Sequence, residues 1–92
     1  MLPIVWSQTA KRNYAAIIES LSERSLDAAI KLDDTAEKIF RQISHYPLSF
    51  PITDIKKGCR RCVIAKHYSA VSEVQDRFVY IVSFFDNRRV SI

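Results

Sequence analysis

One glycine, two cysteines, two histidines and three prolines in 92 residues limit what this chain can be built around. A phosphate-cradling loop needs several glycines to let the backbone approach the anion, so Gly-rich nucleotide-binding loops are excluded. No serine is flanked as in a nucleophile elbow, and hydrolase readings therefore lack residues. Two cysteines make no disulfide framework. The longest apolar stretch, Phe78 to Phe85 with one Ser in it, has strand length and falls far short of the roughly 18 residues of a membrane span. The opening Met1-Leu2-Pro3-Ile4-Val5-Trp6 lacks a basic segment followed by a long apolar one. No signal peptide is expected, and cytoplasmic residence is the default.

What is present is one domain's worth of chain, residues 1–92, with 48% apolar and 26% charged residues. A domain this small has a thin core, so partner binding matters to its stability. The net charge of +4 is unevenly placed. Residues 1–45 hold six basic and six acidic side chains, whereas residues 46–92 hold eight basic (Lys56, Lys57, Arg60, Arg61, Lys66, Arg77, Arg88, Arg89) against four acidic (Asp54, Glu73, Asp76, Asp86). This asymmetry points to an anionic partner, nucleic acid or an acidic protein surface; a solvated basic edge is the plainer alternative.

Hydrophobic periodicity divides the chain. Ile4, Val5 and Trp6 read as a short strand with Pro3 tolerated at its start. Ser7 and Thr9 supply helix-start chemistry, and Ala10, Tyr14, Ile17, Ile18 and Leu21 recur at helical spacing. Ser25 is the natural N-cap of a second helix with Asp27 in its first turn, carrying Ala29, Leu32, Ala36, Ile39, Phe40 and Ile43 as its apolar stripe until Pro47 stops it. The two helices form an antiparallel hairpin. Leu48 to Gly58 is a connecting loop. Strands follow at about Arg60 to Ala65, Tyr68 to Val74 and Arg77 to Phe85, with Gln75-Asp76 as a two-residue hairpin turn. The last strand is apolar on both faces and is expected to be central, with the N-terminal strand as its second neighbour. The fold class is α+β, in the order β-α-α-β-β-β, with a three-stranded antiparallel meander and the helix hairpin lying on an antiparallel sheet.

The opening Ile4-Val5-Trp6-Ser7-Gln8-Thr9-Ala10, the helix hairpin, Gly58-Cys59-Arg60 leading into the second strand and the closing Phe84-Phe85-Asp86-Asn87-Arg88-Arg89 together resemble the RelE/ParE superfamily of bacterial type II toxin-antitoxin toxins. The resemblance spans nearly the whole chain. It implies a small cytoplasmic toxin of a plasmid-stabilisation type, neutralised by a cognate antitoxin in a hetero-oligomer, with no cofactor, no metal and no membrane partner. Two activities occur in the superfamily. RelE-like members cut mRNA on the ribosome without metal, and ParE-like members poison DNA gyrase by binding it.

Metal-free RNA cleavage needs a base for the 2′-hydroxyl, an acid for the leaving oxygen and cations around the phosphate. Arg60, Arg61, Arg88 and Arg89 are candidate cations, two basic pairs near strand ends that would converge across a sheet. Lys56 and Lys57 would add backbone contacts. RNA-cleaving members carry a Tyr or His after the C-terminal Arg, whereas this chain continues Val90-Ser91-Ile92. His67 has suitable titration chemistry but does not match the family's position. The vacant acid/base position favours ParE-like gyrase poisoning over ribosome-dependent endoribonuclease activity; a degenerate, non-toxic binding module is the third reading. The expected contact surface is a basic sheet edge of Arg60, Arg61, Lys66, Arg88 and Arg89, together with Lys56, Lys57 and Tyr68. The antitoxin should bring acidic and apolar side chains to that surface and to the hairpin.

Cys59-Arg60-Arg61-Cys62 has C-x-x-C spacing, but on a strand residues three apart point to opposite faces, so the thiols read as small packed residues. Tyr68, beside Lys66 and His67, is the aromatic residue best placed to stack a base; Trp6 and Tyr14 fall on core faces. Asp33, Asp34 and Glu37 read as a solvated helix face.

Overall fold

A computed structural model of the chain describes residues 1–89. Three residues, Ile4–Trp6, form strand β1, and Ser7 then opens helix α1, Gln8–Arg24. Of Ser7 and Thr9, the two residues with helix-start chemistry, Ser7 is the N-cap: its hydroxyl accepts the Ala10 N–H at 2.9 Å, satisfying one of the free donors of the first turn. Ser25 alone separates α1 from helix α2, Leu26–His45. Its N–H donates to the Leu21 carbonyl at 2.7 Å, closing α1, while its hydroxyl accepts the Ala28 N–H at 3.2 Å, opening α2. Helix α2 stops before Pro47, which begins a 3₁₀ turn over Pro47–Ser49.

After the loop come β2 (Arg60–Ala65), β3 (Tyr68–Val74) and β4 (Val79–Asp86), then a 3₁₀ turn over Asn87–Arg89. Loop residue Gly58 takes φ +79°, a backbone state that side chains with a Cβ rarely adopt. The strands form one sheet in the order β1-β4-β3-β2, so the apolar β4 is central and β1 is its second neighbour, as its two-sided hydrophobicity requires.

Two details differ from the sequence expectation. The sheet is mixed: β1 pairs parallel with β4, Ile4 against Val79 and Trp6 against Ile81. Ser7 fixes that register, its N–H donating to the Ile81 carbonyl at 2.9 Å and its hydroxyl to the Val82 carbonyl at 2.8 Å. The β3–β4 connection is also longer than Gln75-Asp76. Val74 pairs with Val79, and the Gln75 N–H bonds the Phe78 carbonyl at 2.9 Å, leaving Gln75 to Phe78 as a four-residue turn.

The core lies between the hairpin and one sheet face. Ala10 of α1, Leu32, Ala36 and Ile43 of α2, and Cys62, Ile64, Ala70, Val79, Ile81 and Phe84 of the sheet make one buried cluster. Trp6 packs its ring 4.8 Å from Phe40, and Tyr14 meets Phe84 edge-on at 4.8 Å. Such aromatic contacts add to the area they bury. The Tyr14 hydroxyl leaves this cluster to hydrogen-bond Asp33, tying α1 to α2; burial and that carboxylate both push the phenol pKa upward.

Candidate functional site

Helix α1 ends and α2 begins over the same end of the sheet at which the β2–β3 turn and the end of β4 lie. Between these four pieces run two adjoining cavities. The first, about 680 Å³, lies between α1 (Asn13, Ile17, Ser20, Leu21, Arg24) and the end of β4 (Phe84, Phe85, Asp86, Arg88, Arg89). The second, about 360 Å³, lies between α2 (Ala28, Lys31, Leu32, Thr35) and the β2–β3 turn (Ala65, Lys66, His67). Leu21, Arg24, Tyr68 and Arg88 line both, so the two form one continuous groove. Its floor is apolar (Ile17, Leu21, Leu32, Phe84) and its rim carries Arg24, Lys31, Lys66, Arg88 and Arg89.

Asp86 is the one carboxylate lining this groove among the described residues, and it is already committed. It accepts from Arg88 Nε at 3.0 Å, Nη2 at 2.7 Å and the Arg88 backbone N–H at 2.9 Å, with Arg89 Nε at 3.9 Å. These bonds, the Arg88 side chain foremost, pull the Asp86 carboxyl down to about 2, and Asp86 in turn raises the Arg88 pKa. The Asp86 side chain is only 10% exposed, whereas Arg88 is 53% and Arg89 87% exposed. The arginines therefore present their remaining donors to solvent, an arrangement suited to an anionic partner.

The cations expected at a sheet edge are not gathered there. Arg60 starts β2 at the opposite end, pairing with Ser72, and its guanidinium donates to the carbonyls of Leu48 at 3.2 Å and Phe50 at 2.7 Å. It fastens the loop and does not converge with Arg88 and Arg89. Arg61 lies over the Phe85 ring, 5.4 Å from its centroid, and donates to Asn87 at 2.8 Å. Lys66 reaches the rim through the β2–β3 turn; Lys56 and Lys57 are exposed in the long loop, outside the groove lining. Tyr68 is 8% exposed, with its ring stacked 6.4 Å from Phe84, so it has no free face for a base. It serves as groove wall beside Arg88. His67 lines the second cavity. The expected position after the C-terminal arginines, Val90-Ser91-Ile92, falls outside the described residues.

Arg24 and Lys31 are groove residues that sequence reading passed over. Their signal lay in the one-residue joint at Ser25, which puts the last turn of α1 and the first turns of α2 at one place. Cys62 belongs to the core, with Sγ 3.5 Å from the Ser72 hydroxyl, whereas Cys59 Sγ lies 4.0 Å from Glu73. Burial raises both thiol pKa values. Among the described residues no three His, Cys, Asp or Glu side chains gather as a metal site requires.

Over residues 4–90 the sequence matches the family described as ParE toxin of type II toxin-antitoxin system, parDE. The chain belongs to the ParE toxin family. It is thus a type II toxin-antitoxin toxin within the RelE/ParE superfamily. Similar solved structures share the ParE-family fold. The chromosomal ParDE toxin-antitoxin system from P. aeruginosa matches at TM-score 0.79 and 15% identity, over 94% of this chain and 96% of that one. A copper-bound mutant toxin from Helicobacter pylori matches at TM-score 0.69 and 15% identity, over 99% and 100%. The E. coli DinJ-YafQ toxin-antitoxin complex matches at TM-score 0.63 and 10% identity, over 97% and 96%. No curated protein matches the sequence significantly. Among the described residues of this ParE-family chain, no helix is long and apolar enough to cross a membrane.

Proposed function

We propose that the chain arrests growth by binding DNA gyrase through the basic-rimmed groove, without performing hydrolysis itself, and that a cognate antitoxin neutralises it by occupying the same groove. The observation that carries this reading is the match to the ParE toxin family along almost the whole chain. The groove supports it chemically. Arg24, Lys31, Lys66, Arg88 and Arg89 ring an apolar floor, which suits a partner segment that alternates acidic and apolar side chains. The similar structures from P. aeruginosa and E. coli are of toxin-antitoxin systems, which supports an antitoxin as that partner.

One feature favours a second reading. His67 and Tyr68 line the second cavity together with Arg88, so an imidazole, a phenol and a guanidinium surround one space, the group types that metal-free cleavage of ribosome-bound mRNA would use. A gyrase supercoiling and cleavage assay with the purified chain separates the two. Blocked supercoiling, or accumulation of cleaved plasmid, is the expected result. No effect on gyrase, combined with mRNA cleavage on ribosomes that His67→Ala abolishes, would replace the gyrase reading with the ribonuclease one.

A further inference from the structure

Asn87 stands between the end of β4 and the Arg88–Arg89 pair, and four hydrogen bonds converge on it. Its N–H donates to the His67 carbonyl at 2.6 Å, and its Nδ2 donates to the Lys66 carbonyl at 3.4 Å. Its Oδ1 accepts from Arg61 Nη2 at 2.8 Å and from the Ser69 hydroxyl at 2.8 Å. Two donors on one oxygen leave the amide a single orientation, because the NH₂ group accepts nothing. Ser69 is fully buried, and Arg61 is held a second time over the Phe85 ring. Both partners are therefore fixed before they meet Asn87.

This arrangement joins the two walls of the groove. The β2–β3 turn carries Lys66 and His67 into one wall, the 3₁₀ turn after β4 carries Arg88 and Arg89 into the other, and Asn87 bonds the first while leading directly into the second. Arg61 lines neither cavity. Its charge sits on the other side of the sheet from the helices, with Phe85 beneath it and Asn87 at its tip.

We propose that Asn87, oriented by Arg61 and Ser69, is a positioning residue that sets Arg88 and Arg89 over the groove, and that Arg61 acts on the target only through it. The inference rests on the groove being the toxic surface. It assigns Arg61 a different part from a contact cation: the guanidinium shapes the site from behind. Deleting either partner of a bond that includes a charged group loses the same geometry, so the two losses cannot add.

The test compares Asn87→Ala, Arg61→Ala, the double variant and Arg88→Ala/Arg89→Ala as full chains, reading growth arrest against expression level and amide hydrogen exchange of the purified proteins. Each single variant should raise the expression needed for half-maximal arrest by about tenfold, the scale of one charge-assisted hydrogen bond. The double variant should do no worse than the weaker single, and exchange should speed up at Arg88 and Arg89 while β2 and β3 amides keep their protection. Ser69→Ala, which removes one donor to the same oxygen, should shift toxicity in the same direction and provides the test if Asn87→Ala unfolds. Losses that multiply in the double variant would make Arg61 a direct contact and overturn the proposal. Full toxicity of Asn87→Ala beside an inactive Arg88→Ala/Arg89→Ala overturns it while leaving the groove reading intact. Full toxicity of Arg88→Ala/Arg89→Ala removes the groove reading itself.

Discussion

Asp86 takes three hydrogen bonds from Arg88, two from the guanidinium at 3.0 and 2.7 Å and one from the backbone at 2.9 Å. The carboxylate is thereby held ionised down to a pKa of about 2, below the roughly 3.9 of an unfolded aspartate. A depressed carboxyl pKa contributes stability that is complete above the unfolded value and disappears as pH falls through the folded one. Asp86→Asn should therefore melt below the parent protein at pH 7. The gap should close between about pH 4 and pH 2. A gap that is constant across this range would show that the ion pair does not set it.

Arg24 and Lys31 are rim cations from the helix hairpin. Replacing both with Ala should weaken antitoxin binding by about tenfold at low salt, since each exposed cation contributes on the order of 1 kcal/mol or less. The deficit should shrink as salt rises, because exposed charges are screened. Calorimetric titration of the antitoxin at two salt concentrations checks both statements, and an affinity equal to the parent's would place the antitoxin elsewhere.

Arg60 holds the carbonyls of Leu48 and Phe50 and lies at the far end of β2 from the groove. Arg60→Ala should cost about 1–3 kcal/mol in stability, as hydrogen bonds to charged groups do, and leave growth inhibition at matched folded concentration unchanged. Chemical denaturation beside a toxicity titration reads the two effects separately. Lost toxicity at full stability would return Arg60 to the contact surface.

Phe84 sits 1% exposed between Tyr14, Tyr68 and Trp6, the place where hairpin and sheet meet. Phe84→Ala should lose about 3–5 kcal/mol, enough to unfold much of a domain this small. Saturating antitoxin should restore a cooperative melt, since a partner that binds only the folded chain stabilises it by mass action. A melt identical with and without antitoxin would show that the complex does not draw on the folded state.

The sequence announced the elements whose signals are local. Ser7 and Ser25 mark helix starts through side-chain oxygens that satisfy nearby N–H groups, and the β2 and β3 bounds agree with those read from the β-branched and aromatic residues that follow Cys59. Direction was not legible in β1, because three residues carry no pattern that separates parallel from antiparallel pairing. Ser7, bonded to carbonyls of β4, settles it. The groove was half legible for the same reason. Arg88 and Arg89 stand out as a charged pair after an apolar strand, but Arg24 joins them only because the hairpin turns at a single residue over that end of the sheet. Arg60 and Arg61 look equivalent in sequence, yet as neighbours on a strand they go to opposite faces and meet different partners.

The hydroxyl of Ser7 reaches a carbonyl 75 residues further along the chain. Strand β4 is the last of the four to be synthesised, and it is the strand on which β1, β3 and much of α1 rest. A nascent chain that ends before Val79 has its helices, its β2–β3 hairpin and the packing of α2 on β2, but lacks the strand that carries β1 and α1. The core is therefore complete only once Val79 to Phe84 have been delivered, with the arginines of the groove four and five residues behind Phe84. The groove and the core that supports it are thus completed by one and the same stretch of chain, Val79 to Arg89.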